Sequence, residues 1–307
     1  IVVTHEILHR VLREELFHLA VKLCREGFVG GKHHRRALQI RDHVGDVWYQ
    51  TEVFVPAGWE GQRIVLRLDA ATHRGTVWVD DVEVMDHQGG YTPFEFDITS
   101  ALKKGANDIR VRVWDPTDDG YQPRGKQVNR PEGIWYTPVS GIWQTVWMEA
   151  VHPEGLQSVQ LLTDIDQQQL VVRPRFYKEL GGKLQVTVKD NGKIVASQTI
   201  TASSLSSAIL PIKKMKTWSP ENPFLYDLEY KVIDKNGKVV DEVRSYTGMR
   251  KVHIEGNKIY LNNKPYYQRL VLDQGFYPDG IWTAPSDEAL KHDIELSMAA
   301  GFNGARL

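Results

Sequence analysis

Two stretches of the chain carry residue types whose spacing suits chemistry. His5, Glu6 and His9 form a His-Glu-x-x-His run. On a helix the two imidazoles, four residues apart, share a face and can bind Zn, with Glu6 as general base. The extended form of that motif fails, because Leu12 stands where glycine belongs and Glu15 where the third histidine belongs. No strand pattern precedes the run to pack such a helix, so it is read as a chance match and no metal is assigned. A zinc peptidase is the reading that rests on this motif alone. The second stretch is the loop 115–127. It opens with Asp115, Thr117, Asp119 and Gly120 in the order of a calcium-binding EF-hand loop, but its twelfth position, a glutamate in that device, is Lys126. Calcium binding by that route is rejected, and no cofactor is implied. Long polar loops in compact domains tend to be functional or disordered.

The elements that must position this loop are strands. The densest aromatic stretch, 133–150, holds Trp135, Trp143 and Trp147. Gly133, Pro138, Ser140 and Gly141 give it turn chemistry, and the β-branched and aromatic run from Ile142 to Glu149 predicts a core strand. Upstream, strands are expected over 47–55, 63–68, 76–79, 82–84, 94–98 and 107–114, with Arg63 to Leu68 alternating at a period of two. Short strands, frequent turns and no long helix predict a jelly-roll β-sandwich over 45–150. Over 151–250 seven further strands are expected, with Asn191-Gly192 and Asn236-Gly237 as hairpin turns. That density predicts an immunoglobulin-like sandwich.

The ends read differently. Residues 1–26 predict a helix, with Leu8, Leu12, Leu16, Leu19 and Leu23 at helical spacing, Thr4 as N-cap and Gly27 as stop. The basic run from Lys32 to Arg36 reads as a solvated loop. After 251, a hairpin turns on Asn262-Asn263 and a strand follows over 267–272. A helix then starts at the cap Ser286, buries Leu290, Ile294 and Met298, and ends at Gly301. A further strand starts at Phe302.

Three blocks carry a family resemblance: GGYTPFEFDIT at 89–99, SGIWQTVWMEAV at 140–151, and 261–307 from Leu261-Asn262-Asn263 to Gly304-Ala305-Arg306. Together they resemble glycoside hydrolase family 2, which includes β-galactosidases, β-glucuronidases and β-mannosidases. Trp218-Ser219-Pro220 with Asn222-Pro223 resembles a signature of that family's second domain. Residues 1–44 do not resemble the family. The resemblance implies a mostly β chain: a sugar-binding jelly roll (45–150), an immunoglobulin-like sandwich (151–250) and the truncated start of a (β/α)8 barrel (251–307), after an atypical N-terminal helical segment (1–44). It also implies a retaining β-glycosidase whose two catalytic glutamates lie beyond Leu307, so that no catalytic residue is nominated here. The substrate-binding residues it implies are Asp273, Gln274, Tyr277 and Asp279 on the rim after the first barrel strand, and Arg306 on the second, placed to orient a carboxylate. The loop 115–127 is expected to reach the same rim. Asp119, Arg124 and Lys126 would supply hydrogen bonds to sugar hydroxyls, and Tyr121 a stacking face.

Composition sets outer bounds. The formal net charge of -1 argues against nucleic acid or an acidic membrane as a partner held by bulk charge; the partner that the family resemblance implies is a carbohydrate β-glycoside. No apolar run approaches the roughly 18 residues of a membrane span. Cys24 is the single cysteine, which excludes an internal disulfide. The chain begins at Ile1 without a signal-peptide pattern, and a processed or partial product is the expectation. Compartment and oligomeric state are not assigned. A non-catalytic carbohydrate-binding or adhesive protein of two sandwiches fits the same strands as the glycosidase reading.

The zinc reading has a direct check. After dialysis, metal analysis of the purified chain should find far less than one equivalent of Zn. A retained equivalent that disappears on His9→Ala would establish the metal site instead.

Overall fold

The computed structural model describes residues 8–9, 38–40, 45–179, 181–278 and 280–306. Among them strands dominate, and the one helix is Asp287–Ala299. It is too short to cross a membrane. The described residues fall into two compact units. One contains 45–150 and 272–300 together with 38–40; the other contains 151–271 and 301–306 together with 8–9. The segment 251–307 is therefore shared between the two units.

In the unit containing 45–150, a four-stranded antiparallel sheet runs in the order Gly45–Phe54, Ala106–Asp115, Arg74–Val79, Val82–Gln88. A three-stranded sheet is made by Val146–Val151, Arg63–Leu68 and Phe94–Asp97. Alternation decides which face of each strand is inward. From the first sheet Val47, Tyr49, Val77, Ile109, Val111 and Val113 are buried, and they share one core with Ile64, Leu66 and Leu68 of the second. The expected strand 142–149 is two strands. Ser140–Ile142 pairs with Leu38–Ile40 and Ala71–Thr72, whereas Val146–Val151 joins the sheet of Arg63–Leu68. Between them Trp143 and Thr145 bond to the backbone of Ala70 and Asp69 (3.3 and 2.9 Å), so the chain changes sheets at this point.

The other unit pairs Leu8–His9, Leu156–Asp164, Gln169–Phe176 and Ala208–Pro211 in one sheet, and Lys193–Thr201, Lys183–Asp190, Tyr226–Ile233 and Val239–Thr247 in the other. Their facing side chains, among them Leu170, Val172, Leu184, Val186, Leu228 and Tyr230, form a single core. The two Asn-Gly turns differ. Asn191 and Gly192 both take positive φ (49° and 81°), the two-residue hairpin turn that needs left-handed backbone twice. At 234–238 only Gly237 does so (85°), because Asp234 Oδ1 accepts the N–H groups of Asn236 and Lys238 (2.8 and 2.9 Å) and shapes a longer loop. Asn262 and Asn263 (φ 50° and 63°) turn the hairpin of Lys258–Leu261 and Lys264–Pro265. Leu270–Leu272 and Gly304–Arg306 form a two-stranded sheet.

Two expectations are corrected. Of the helix expected over 1–26, only Leu8 and His9 lie among the described residues, and they form a strand antiparallel to Val159 and Gln160. The edge of a sheet offers them the backbone partners that a helix would have supplied internally. His5 and Glu6 lie outside the described residues. The helix Asp287–Ala299 forms with Ser286 as its cap, the Oγ accepting from Ala289 N–H (3.2 Å), but no residue of it is buried. Leu290, Ile294 and Met298 are 49%, 61% and 62% exposed. Their spacing specifies a stripe, and a stripe is buried only where a second layer covers it.

Tyr230 sits at the centre of its sandwich with no exposed surface, and its hydroxyl finds no partner among the described residues. An unmet buried hydroxyl is destabilising. Tyr230→Phe should therefore raise the stability to urea unfolding by about 1 kcal/mol. A loss of that size would show that the hydroxyl is bonded.

Candidate functional site

The site is built in the unit containing 45–150, where the loop 115–127 and the segment 272–300 meet a set of aromatic side chains. Polar side chains within the loop hold its backbone. Asp115 is buried, with Oδ1 accepting Thr117 N–H (2.8 Å) and Oδ2 accepting the Thr72 hydroxyl (2.9 Å). Asp118 Oδ1 accepts Asn129 N–H (3.0 Å), and the Gln122 amide donates to Thr117 O (2.8 Å). Of the positions that resembled a calcium loop, Asp115 thus serves as a backbone cap, and its neighbour Asp118 caps Asn129. Burial pushes the Asp115 carboxyl above the ordinary range, against the lowering effect of its bonds to Thr117 and Thr72. Its two bonds tie it to the scaffold. No cluster of three or more metal-ligating side chains exists among the described residues.

At its far end the loop turns back on the tryptophan-rich stretch. Val128 N–H bonds to Tyr136 O (3.0 Å) and Tyr136 N–H to Lys126 O (2.8 Å). The Lys126 ammonium lies 5.9 Å from the Tyr136 ring centre. Tyr136 in turn stacks on Phe276 (5.1 Å between ring centres). A second contact lies alongside: Trp282 packs on Tyr91 (5.3 Å) and on Trp143 (5.2 Å). Trp143 is fixed by its own indole N–H, which donates to Gly90 O (2.7 Å), and its carbonyl accepts the Thr283 hydroxyl (2.8 Å). Tyr277 and Ile281 exchange both N–H···O bonds (2.7 and 3.0 Å), and a Cβ on Gly280 would stand 1.8 Å from Thr283 O, so glycine is required there.

Of the residues nominated from sequence, Tyr121 is fully exposed, Asp119 and Lys126 are exposed and Arg124 is half-buried. Asp273 and Gln274 are exposed, and Asp273 Oδ1 accepts Gly275 N–H (2.8 Å). Tyr277 is half-buried and donates its hydroxyl to Asp293 Oδ2 (2.8 Å). Arg306 is exposed in the strand Gly304–Arg306 and belongs to the other unit. Asp279 lies outside the described residues. The residues that join the loop to the rim, namely Tyr91, Tyr136, Trp143, Phe276 and Trp282, were not nominated. For all but Tyr91 the only signal was aromatic density in 134–143 and 276–282, because their partners are far apart in sequence. The Lys126 ammonium lies against these aromatic contacts, and the carboxylates of Asp119 and Asp273, the Gln274 amide and the Tyr121 phenol are exposed on the same two segments, groups whose chemistry suits polyhydroxylated ligands.

Two antiparallel sandwiches followed by a strand–helix–strand segment, with loops of the first sandwich meeting that segment, define a modular β protein with a polar, aromatic-lined rim. The chain belongs to glycosyl hydrolase family 2. The family's sugar-binding domain matches residues 36–151, and a second model described as glycosyl hydrolases family 2 matches 157–250. The β-glucuronidase of Paenibacillus borealis is 29% identical over 244 residues, 74% of this chain and 40% of that protein. The β-galactosidase of Thermoanaerobacter pseudethanolicus is 27% identical over 269 residues, 81% of this chain and 35% of that protein. The β-glucuronidase of Ruminococcus gnavus, solved with D-glucuronic acid, superposes with a TM-score of 0.74 at 26% identity, covering 86% of this chain and 47% of that one. The chain thus spans less than half the length of these relatives.

Partial burial, the hydrogen bond to Asp293 and the charges of Asp293 and Asp273 push the Tyr277 phenol up to about 12. The favoured state is the neutral one, so its contribution to stability is complete below the unfolded value of about 10 and is lost as pH rises through about 12. Subtracting the phenolate absorbance titration of Tyr277→Phe from that of the parent should leave one component near pH 12. A component near 10, the ordinary tyrosine value, would mean that the Asp293 contact does not form in solution.

Proposed function

We propose that this chain is the N-terminal part of a retaining β-glycosidase that hydrolyses O-glycosidic bonds. On this reading 45–150 is a jelly-roll sugar-binding domain, 151–250 an immunoglobulin-like spacer, and 251–307 the first strand, helix and second strand of a (β/α)8 barrel. The observation that carries it is the rim itself, where a sandwich loop and the segment after the strand Leu270–Leu272 are joined through Tyr136 and Phe276. Barrel enzymes build their sites from loops after the strands, which is where Asp273, Gln274 and Tyr277 stand. The uncovered stripe of Leu290, Ile294 and Met298 supports the same reading, since barrel neighbours would cover it.

Retaining hydrolysis needs two carboxyl groups about 5 Å apart, one as nucleophile and one as acid and then base. In this proposal both come from later barrel strands. The present residues bind and orient. Asp273 and Asp279 accept from sugar hydroxyls, Gln274 both donates and accepts, and Tyr277 supplies an apolar edge while Asp293 holds it. Asp119, Arg124 and Lys126 would approach from the sandwich with Tyr121 as a stacking face. Arg306 would orient a catalytic carboxylate. The substrate class is a β-glycoside, the class shared by the glucuronidase and galactosidase relatives.

With the catalytic pair supplied from outside, the purified chain should hydrolyse none of the aryl β-galactoside, β-glucuronide or β-mannoside reporters. Turnover abolished by substituting any residue of this chain would overturn the assignment of catalysis to later strands. In a protein carrying the remaining barrel, Asp273→Ala should lower kcat/KM at least tenfold.

A further inference from the structure

The outward face of the four-stranded sheet in the same unit carries a second assembly, away from the core and built from different residues than the rim. Alternation turns Asp46 and Trp48, Arg112 and Trp114, and Arg74 and Thr76 toward the side opposite the buried Val47, Val113 and Val77. Register sets Asp46, Trp114 and Arg74 in one cross-strand row, and Trp48, Arg112, Thr76 and Asp86 in the adjacent row. Arg112 gives Nε and Nη2 to the two oxygens of Asp46 (2.8 and 2.9 Å). Arg74 gives Nε and Nη2 to Asp86 (2.9 and 2.6 Å). Each planar guanidinium is thereby fixed in orientation, and no described residue takes its Nη1 edge.

Arg74, Thr76, Arg112 and Trp114 line a shallow depression of about 140 Å³. Trp114 is 37% exposed beside it, and Trp48, stacked on Trp78 (5.4 Å), is 49% exposed. The Arg112 guanidinium lies 6.0 Å from the Trp48 ring centre, which accounts for that indole as its neighbour; ion pairing at a surface contributes little to stability and gives no reason for the exposed Trp114 to flank the two oriented guanidinium groups. The two arginines are balanced by two carboxylates, so the depression does not select an anion by net charge. It offers oriented donors, carboxylate and hydroxyl acceptors, and a flat apolar surface within one patch. Vicinal ring hydroxyls above a C–H face present the complementary chemistry.

We propose that this face is a second carbohydrate-binding surface, taking a neutral pyranose unit of a glycan chain. Trp114 is its stacking platform, and the Nη1 groups of Arg74 and Arg112 donate to ring hydroxyls. The proposal does not rest on the reading of the rim.

The test is native affinity electrophoresis through gels containing mixed-linkage β-glucan, arabinoxylan, galactomannan or galactan, with polygalacturonate as the acidic comparison. At least one neutral polysaccharide should retard the chain. Trp114→Ala and Arg112→Gln should each weaken that retardation at least tenfold. Trp114→Phe, which keeps a stacking ring, should largely retain it, and so should Tyr121→Ala and Asp273→Ala on the rim. Thermal unfolding of each variant identifies any loss that comes from misfolding, and Trp114→Phe then decides. Retardation by none of the neutral gels, or by polygalacturonate alone, overturns the proposal. So does retardation that survives Trp114→Ala or disappears with the rim variants. A dimer in sedimentation that Trp114→Ala dissociates would make the face a contact between copies of the chain, and would overturn it equally.

Discussion

A β-strand presents successive side chains to opposite faces, and this constraint organises both sandwiches. Once Val47, Tyr49, Val111 and Val113 are committed to the core, the residues between them are committed to the outside. The chain has used both consequences. The inner faces are almost purely apolar, as in the other unit with Leu184, Val186 and Leu228. The outer face of the four-stranded sheet is a lattice of Arg–Asp pairs and indoles, with Arg74–Asp86 and Arg112–Asp46 as its bidentate members. A shift of register by one residue would exchange the two sets, so the apolar core also fixes which polar groups stand side by side.

The rim depends on a different device. Loops cannot bury apolar area as strands do, and here they are shaped by side chains bonding to nearby backbone. Asp115, Asp118 and Gln122 hold the loop 115–127, while Asp273 holds the turn at Gly275. These short-range bonds set the shape of each segment but do not bring segments together. The aromatic contacts do that: Tyr136 on Phe276, and Trp282 on Tyr91 and Trp143. Ring pairs of this kind add about 0.5–1.5 kcal/mol beyond the area they bury. The helix Asp287–Ala299 buries no residue of its own, so in this unit the segment 272–300 is held chiefly through its first dozen residues.

The strands of both sandwiches were legible in the amino-acid sequence, because period-two alternation is a local property and needs no knowledge of the partner strand. Asn191-Gly192 and Asn262-Asn263 were legible for a similar reason, since a turn that demands positive φ names its residues. The Ser286 cap and the helix after it were legible too, and so was the family, through blocks spread from 89 to 307. The sequence had no means of showing where 142–149 would break, because the break answers to backbone hydrogen bonds with Ala70 and Asp69, more than seventy residues away. Nor could it distinguish Asp234-Asn236-Gly237 from the tighter hairpin without the Asp234 side chain in view.

What the sequence by itself determined, then, is most of the strands, the alternation that divides their two faces, and the presence of polar and aromatic side chains in the loop 115–127 and after 272. Only the tertiary structure decided which of those side chains meet. It assigned Asp115 and Asp118 to backbone capping, set Lys126 over Tyr136 and stacked Tyr136 on Phe276. It left Leu290, Ile294 and Met298 uncovered, and it arrayed Trp114 between Asp46 and Arg74. The physical reason is range. Alternation, capping and turn preference act within a few residues and can be read along the chain. The contacts that make a site close over tens of residues, and their partners are chosen by packing of the sheets.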